Sequence, residues 1–121
     1  MQGIHLIADF YDCPADKPWL SRAADLEALC LAQVEAAGLT PLSSHFHQFE
    51  PGGATGVVIL AESHLAIHTW PEAGHVTLDV FVCNYTQDNT MRAHELYREL
   101  ESAFAPGRKN LTVLERGHHD R

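Results

Sequence analysis

The chain has 121 residues, a length that fits one domain, with 45% apolar side chains and a net charge of −8 from 16 acidic and 8 basic residues. That balance excludes the basic face a nucleic-acid binder needs, and no apolar run reaches membrane-spanning length. Cys13, Cys30 and Cys83 form no CxxC pair, so neither a disulfide framework nor a zinc ribbon is expected, and a reducing, cytoplasmic setting is.

In chain order, the opening MQGIHLIADFYD lacks a basic n-region and a long apolar core, so it does not read as a signal peptide. Within it, residues 4–11 alternate and read as a strand. Pro14 and Pro18 punctuate a loop over 11–18. Ala23, Leu26, Cys30, Val34 and Ala37 then fall at three- and four-residue spacing, one face of a helix ended by Gly38. Residues 40–50 alternate as a strand, 51–56 form a Gly-rich turn, and 57–63 and 64–70 are β-branched and apolar. After a turn at 71–74 comes a strand over 75–83, then the polar loop NYTQDN (84–89). A second helix from Thr90 to Ala105 presents Ala93, Leu96, Tyr97, Leu100 and Phe104 on one face. A last strand covers 111–116, and GHHDR reads as a disordered tail.

The order β-α-β-β-β-β-α-β, with mostly hairpin connections, predicts an α+β fold: an antiparallel sheet with two helices on one face. The opposite sheet face then lacks cover, which predicts dimerisation through it into an α/β/β/α sandwich.

Several residues carry chemistry, and taken singly none decides a function. Cys83 ends a strand and is as readily a small buried hydrophobe as a reactive thiol. His45 with His47, and His64 with His68, share strand faces, a spacing compatible with a metal site or with polar positions on a solvated or interfacial face. Phe49 and Trp70 read as core or as ligand platforms, and Glu72 as a turn residue or an acceptor.

Together they are more specific. FHQFEPGGATGVVILAESHLAIHTWPE (46–72), followed by LDVFVC (78–83) and preceded by HLIADFYDC (5–13), resembles the prokaryotic S-adenosylmethionine decarboxylase proenzymes. The resemblance covers nearly the whole chain. It implies a pyruvoyl-dependent carboxy-lyase that decarboxylates S-adenosylmethionine and supplies the aminopropyl donor for spermidine synthesis. It further implies a self-inflicted cut between Glu62 and Ser63, giving residues 1–62 and 63–121, with Ser63 converted to the pyruvoyl cofactor. A serine is the residue type this needs. Its hydroxyl can attack the preceding carbonyl and turn amide into ester, and elimination of that ester leaves dehydroalanine, which hydrolyses to a pyruvoyl group. By the same resemblance His68 is the base for the elimination, and Thr55, in the Gly-rich turn expected near the amide carbonyl, stands where many relatives have serine, its added methyl predicting slower self-cleavage. Cys83 is the proton donor after CO₂ leaves the Schiff base formed on the pyruvoyl carbonyl. Phe49 and Trp70 sandwich the adenine, Glu72 holds the ribose hydroxyls, and Leu65 lines the same pocket. No metal is implied. The family builds its sites from residues of two chains, so a homodimer is the expected assembly and the small-molecule substrate the expected partner.

Alternation raises a difficulty. Ser63 and His68 differ by five positions and face opposite sides of a regular strand, so an irregularity is expected at Ser63 or His64. The loop NYTQDN also departs from many relatives, which continue after the cysteine with Gly and a short acidic or histidine-containing stretch. Asn84, Asp88 and Asn89 add polar groups there. They admit an alternative in which the pyruvoyl chemistry is kept and the substrate is arginine or ornithine, against the plainer reading of a loop with Asn89 or Thr90 as helix N-cap. Further alternatives are a non-processing regulatory paralogue and a histidine metal protein built on His45, His47, His64 and His68.

Overall fold

The structure is a computed structural model and describes residues 2–85 and 87–117. Thr86 of the polar loop and the tail residues 118–121 lie outside the described residues. The sheet has six strands: β1 (Gly3–Tyr11), β2 (Pro41–Gln48), β3 (Ala54–Leu60), β4 (Ser63–Trp70), β5 (His75–Cys83) and β6 (Arg108–Arg116). They run in the order β2-β3-β4-β5-β1-β6, every pairing antiparallel. Two long helices, α2 (Ala23–Ala36) and α3 (Thr90–Phe104), cover one face, and a four-residue helix α1 (Pro18–Ser21) precedes α2. The expected α+β architecture is therefore present.

Period-two alternation decides the layers. Leu6 and Phe10 of β1, Val58 of β3, Leu65 and Ile67 of β4, and Val80 of β5 point toward the helices and are fully buried. Leu26, Cys30 and Val34 of α2 and Leu96, Leu100 and Phe104 of α3 meet them, also fully buried. The second face of the sheet carries His5, Ile59, His64, His68, Trp70, His75 and Phe81, and no element of the described residues covers it.

Three local differences from the sequence reading have physical causes. First, β3 starts at Ala54 inside the Gly-rich stretch, because the Phe46 ring occupies the space a side chain at Gly56 would fill. Strand pairing there depends on glycine rather than being interrupted by it. Second, β3 ends at Leu60, so 61–62 is a turn and not strand. Third, β6 begins at Arg108 because Gly107 bonds back to Tyr11 and Asp12, which starts the pairing with β1 early.

Candidate active site

The residues singled out above lie at the two ends of β4. At its start, Ala61 and Glu62 turn the chain between β3 and β4, and Ser63 takes a φ of +134°. An L-residue adopts that region only under strain. The irregularity expected at Ser63 is thus present. Its consequence is local: Ser63 Oγ lies 3.5 Å from Nδ1 of its neighbour His64. The carbonyl oxygen of Glu62 accepts the backbone N–H of Cys83 at 2.9 Å, so a fixed donor polarises the carbonyl next to Ser63. Cys83 is half-buried, whereas Cys13 and Cys30 are buried and their thiols are pushed up to about 11 and about 12, in each case chiefly by desolvation. Of the three cysteines it is the accessible one.

The carboxylate of Glu62 is held too. Its Oε1 accepts the Tyr85 backbone N–H and the Asn89 Nδ2, both at 3.1 Å. Asp88 has a different task. It is exposed, its Oδ1 accepts the Thr90 backbone N–H at 3.0 Å, and that bond holds its carboxyl below the usual range. It bonds the first N–H of α3, while Asn89 takes the N-cap position that the plainer reading of the loop gives to Asn89 or Thr90, without a side-chain cap bond.

At the far end of β4 the side chains surround a cavity of about 610 Å³ lined by Phe49, Glu50, Thr55, Trp70 and Glu72 among others. That volume suits a nucleoside-sized ligand. Phe49 sits on the loop 49–53, which one side chain organises. Gln48 Nε2 donates to the carbonyls of Ser21, Phe49 and Gly53, while its Oε1 accepts the Ala23 N–H that opens α2. Gly53 has φ +102° and lies where a Cβ would meet the Thr69 carbonyl at 2.9 Å, so only glycine closes this loop against β4. Trp70, 40% exposed, offers one face to the cavity region and stacks on His75 at 5.2 Å and 26°. His75 is fixed in turn: its Nδ1–H donates to the Phe10 carbonyl at 3.0 Å. Thr55 and His68 are cross-strand partners, joined Oγ1 to Nδ1 at 3.0 Å. Glu72 projects from a single 3₁₀ turn, Pro71–Ala73, ended by Gly74.

Most expected residues therefore gather in two groups, Glu62–Ser63–Cys83 and Phe49–Thr55–His68–Trp70–Glu72. Leu65 joins neither, since its side chain is 0% exposed in the helix-side core. This corrects its reading as a pocket-lining side chain. The physical reason is register: Leu65 is paired with Val58 and Val80, and all three point to the helix side. The two groups do not meet within one chain, being separated by five residues of extended strand, roughly 16 Å. Among the described residues no three His, Cys, Asp or Glu side chains cluster as metal ligands. Sequence reading overlooked Gln48 and His75, neither of which carries a motif, and assigned Asn89 a capping role.

The profile of the S-adenosylmethionine decarboxylase family matches residues 4–117. The chain belongs to that family. An S-adenosylmethionine decarboxylase proenzyme of Aquifex aeolicus is 44% identical over 115 residues, 95% of this chain and 81% of the relative. One from Persephonella marina is also 44% identical, over 95% of this chain and 82% of that one. The crystal structure of the Aquifex aeolicus adenosylmethionine decarboxylase superposes with a TM-score of 0.88 at 42% identity, covering 98% of this chain and 92% of that one. A Trypanosoma brucei AdoMetDC chain, 18% identical, shares the fold over 91% of this chain and 45% of its own length, with a TM-score of 0.65. Family membership favours the adenosylmethionine reading of the loop after Cys83 over arginine or ornithine.

Proposed function

We propose that this protein is a pyruvoyl-dependent S-adenosylmethionine decarboxylase that cuts itself between Glu62 and Ser63. Beyond family membership, the observation that carries this is the conformation of that bond. It joins a carbonyl bound by the Cys83 N–H to a half-buried serine at φ +134°.

The steps balance on the chain's own atoms. Ser63 Oγ attacks the Glu62 carbonyl carbon. The new C–O bond replaces the C–N bond, and the hydroxyl proton ends on the freed Ser63 nitrogen. A base then removes the Ser63 Cα proton, and the Glu62 carboxylate leaves. Water replaces the nitrogen of the resulting dehydroalanine, which departs as ammonia. His68 is the base in this reading. For that its Nδ1–H must donate to Thr55 Oγ1, leaving Nε2 as the acceptor. The finished group supplies an electrophilic carbonyl that takes up the electron pair released with CO₂. Cys83 returns a proton to the product. Phe49 and Trp70 offer two aromatic faces to a cationic planar nucleoside, and Glu72 an acceptor for its hydroxyls.

The separation of the two groups supports a homodimer with sheet faces opposed. A two-fold axis between the sheets brings the start of β4 in one copy to the far end of β4 in the other, so each site takes Ser63 and Cys83 from one chain and His68 with the cavity from its partner. The exposed apolar side chains Ile59 and Leu114 on that face favour burial against another surface. No helix among the described residues is long and apolar enough to cross a membrane, and all three cysteines are free, which suits a cytoplasmic enzyme.

Intact-mass analysis and CO₂ release test the reading together. Fragments 1–62 and 63–121, the second starting with a pyruvoyl group, and CO₂ from carboxyl-labelled S-adenosylmethionine alone are expected. An uncut chain would restore the regulatory-paralogue reading. Release from arginine or ornithine instead would keep the Ser63 chemistry and remove the nucleoside roles of Phe49, Trp70 and Glu72.

A further inference from the structure

Asn89 is 2% exposed and, with Thr69, one of two buried polar residues among the described residues. It stands at the N-cap position of α3, where an Asn side chain ordinarily accepts an N–H of the first helical turn. It does not do so here. Asp88, one residue earlier, accepts the N–H of Thr90, the first helical residue, and the Asn89 side chain turns the other way. Both hydrogens of its amide are engaged: Nδ2 donates to Glu62 Oε1 at 3.1 Å and to the Cys83 carbonyl at 3.0 Å. Its Oδ1 accepts Arg92 at 3.1 Å, and its backbone N–H donates to Asn84 Oδ1 at 2.8 Å. A single buried amide thus ties the carboxylate of Glu62 to the backbone of Cys83, while the Cys83 N–H holds the Glu62 main-chain carbonyl.

We propose that Asn89 is a positioning residue for self-cleavage: it clamps Glu62 so that the carbonyl attacked by Ser63 Oγ stays on the Cys83 N–H. The proposal rests on the reading of Glu62–Ser63 as the processed bond. Glu62 lies in the two-residue turn between β3 and β4, and Asn89 holds its carboxylate from outside that turn. A carbonyl free to rotate away would lose its donor just as negative charge develops on the oxygen, where such a donor has most effect. The clamp needs an amide and not merely a polar group, because both of its bonds toward Glu62 and Cys83 are donations to oxygen.

This requirement makes the test specific. Asn89→Asp keeps the size and removes both donors, placing a carboxylate against Glu62, with Arg92 on its other oxygen and Asp88 adjacent in sequence. Appearance of fragments 1–62 and 63–121 is followed by mass spectrometry after refolding the full chain from denaturant, at pH 5.5 and pH 8, with folding checked by circular dichroism. Asn89→Asp is expected to cut about 10- to 100-fold more slowly than wild type at pH 8. The deficit shrinks toward pH 5.5, where a proton shared between the introduced carboxyl and Glu62 restores a donor. Asn89→Ala, which lacks a donor at any pH, is expected to cut slowly at both. Cleavage of either variant at the wild-type rate overturns the clamp. So does an equal deficit of Asn89→Asp at both pH values, which is the signature of a merely structural loss. Should Asn89→Asp not fold, slow cutting by folded Asn89→Ala upholds the clamp, and wild-type cutting overturns it. An uncut wild-type chain is distinguishable from all of these, since it removes the processing reading itself and the clamp with it.

Discussion

The backbone N–H of Cys83 donates to the carbonyl oxygen of Glu62 at 2.9 Å while the Cys83 thiol remains half-buried beside it. In the proposed mechanism one residue would serve two steps through different atoms, the main chain in self-cleavage and the side chain in turnover. Cys83→Ala separates them. The variant retains the N–H and is expected to cut at close to the wild-type rate. Loss of the proton donor should lower decarboxylation per pyruvoyl group about 100-fold or more. Intact mass and CO₂ release read the two rates independently, and a Cys83→Ala chain that fails to cut would count against the backbone role.

Thr55 and His68 form the second informative pair. Thr55→Ala removes the partner of His68 Nδ1, leaving ring and tautomer unfixed, and should slow elimination about 10-fold. The ester would then accumulate, and hydroxylamine, which cleaves esters much faster than amides, would release the 1–62 fragment. Thr55→Ser keeps the hydroxyl, so no ester should build up. Equal behaviour of the two variants would exclude the hydroxyl as the operative group.

Trp70 lies at the cavity, at the opposite end of β4 from the processed bond of its own chain, and the proposed mechanism gives it no part in the cut. Trp70→Ala should leave self-cleavage unchanged and raise KM for S-adenosylmethionine about 10-fold or more, the effect of losing one aromatic face on a cationic nucleoside. An unchanged KM would take Trp70 out of the binding site. The neighbouring stack on His75 gives the same variant a second readout, because the far-red edge of tryptophan emission should respond to substrate only while Trp70 is present.

The buried thiols set a limit at alkaline pH. Burial raises the Cys30 thiol from 9.0 to about 12, with Glu27 contributing second, and raises Cys13 to about 11, with Asp12 second. Both pKa values are higher folded than unfolded. The stability that depends on keeping them neutral is therefore fully present below pH 9.0 and is lost as pH rises from there through about 11 and about 12. Urea midpoints should fall above pH 9, and Cys30→Ala should flatten that fall while costing about 1 kcal/mol at pH 7 from the cavity it leaves. A thiol reagent should label Cys83 in the folded chain before Cys13 or Cys30.

Much of this architecture is legible in the sequence because it follows from period. The helix faces Leu26–Cys30–Val34 and Leu96–Leu100–Phe104, and the alternation in β1, β4 and β5, predict which side of the sheet is buried. The same rule exposes the conflict between Ser63 and His68, and although Ser63 has the irregular φ expected there, the two residues stay at opposite ends of β4 within one chain. Leu65 was misread where motif proximity stood in for alternation. What period cannot carry is the purpose of a single polar side chain whose partners are distant in sequence. Gln48 reaches Ser21 and Ala23, and Asn89 reaches Glu62, across gaps that no local pattern encodes. Asn89 also occupies a position where a helix cap is the simplest account, and only its bonds to Glu62 and Cys83 show that account to be incomplete.

The strand order β2-β3-β4-β5-β1-β6 has a consequence for the life of the molecule. The proposed cut would assign β1, β2 and β3 to one piece and β4, β5 and β6 to the other, with β1 wedged between β5 and β6. The pieces would be interleaved rather than side by side, and parting them would tear three ladders at once: β3 from β4, and β1 from both its neighbours. Once parted, they would have to find each other by diffusion, without the millimolar effective concentration that a continuous chain provides. The uncut chain can fold and refold as a single molecule. The mature enzyme would carry a fold that its own two pieces assemble poorly, and each episode of heat or denaturant that fully opens it would be close to irreversible.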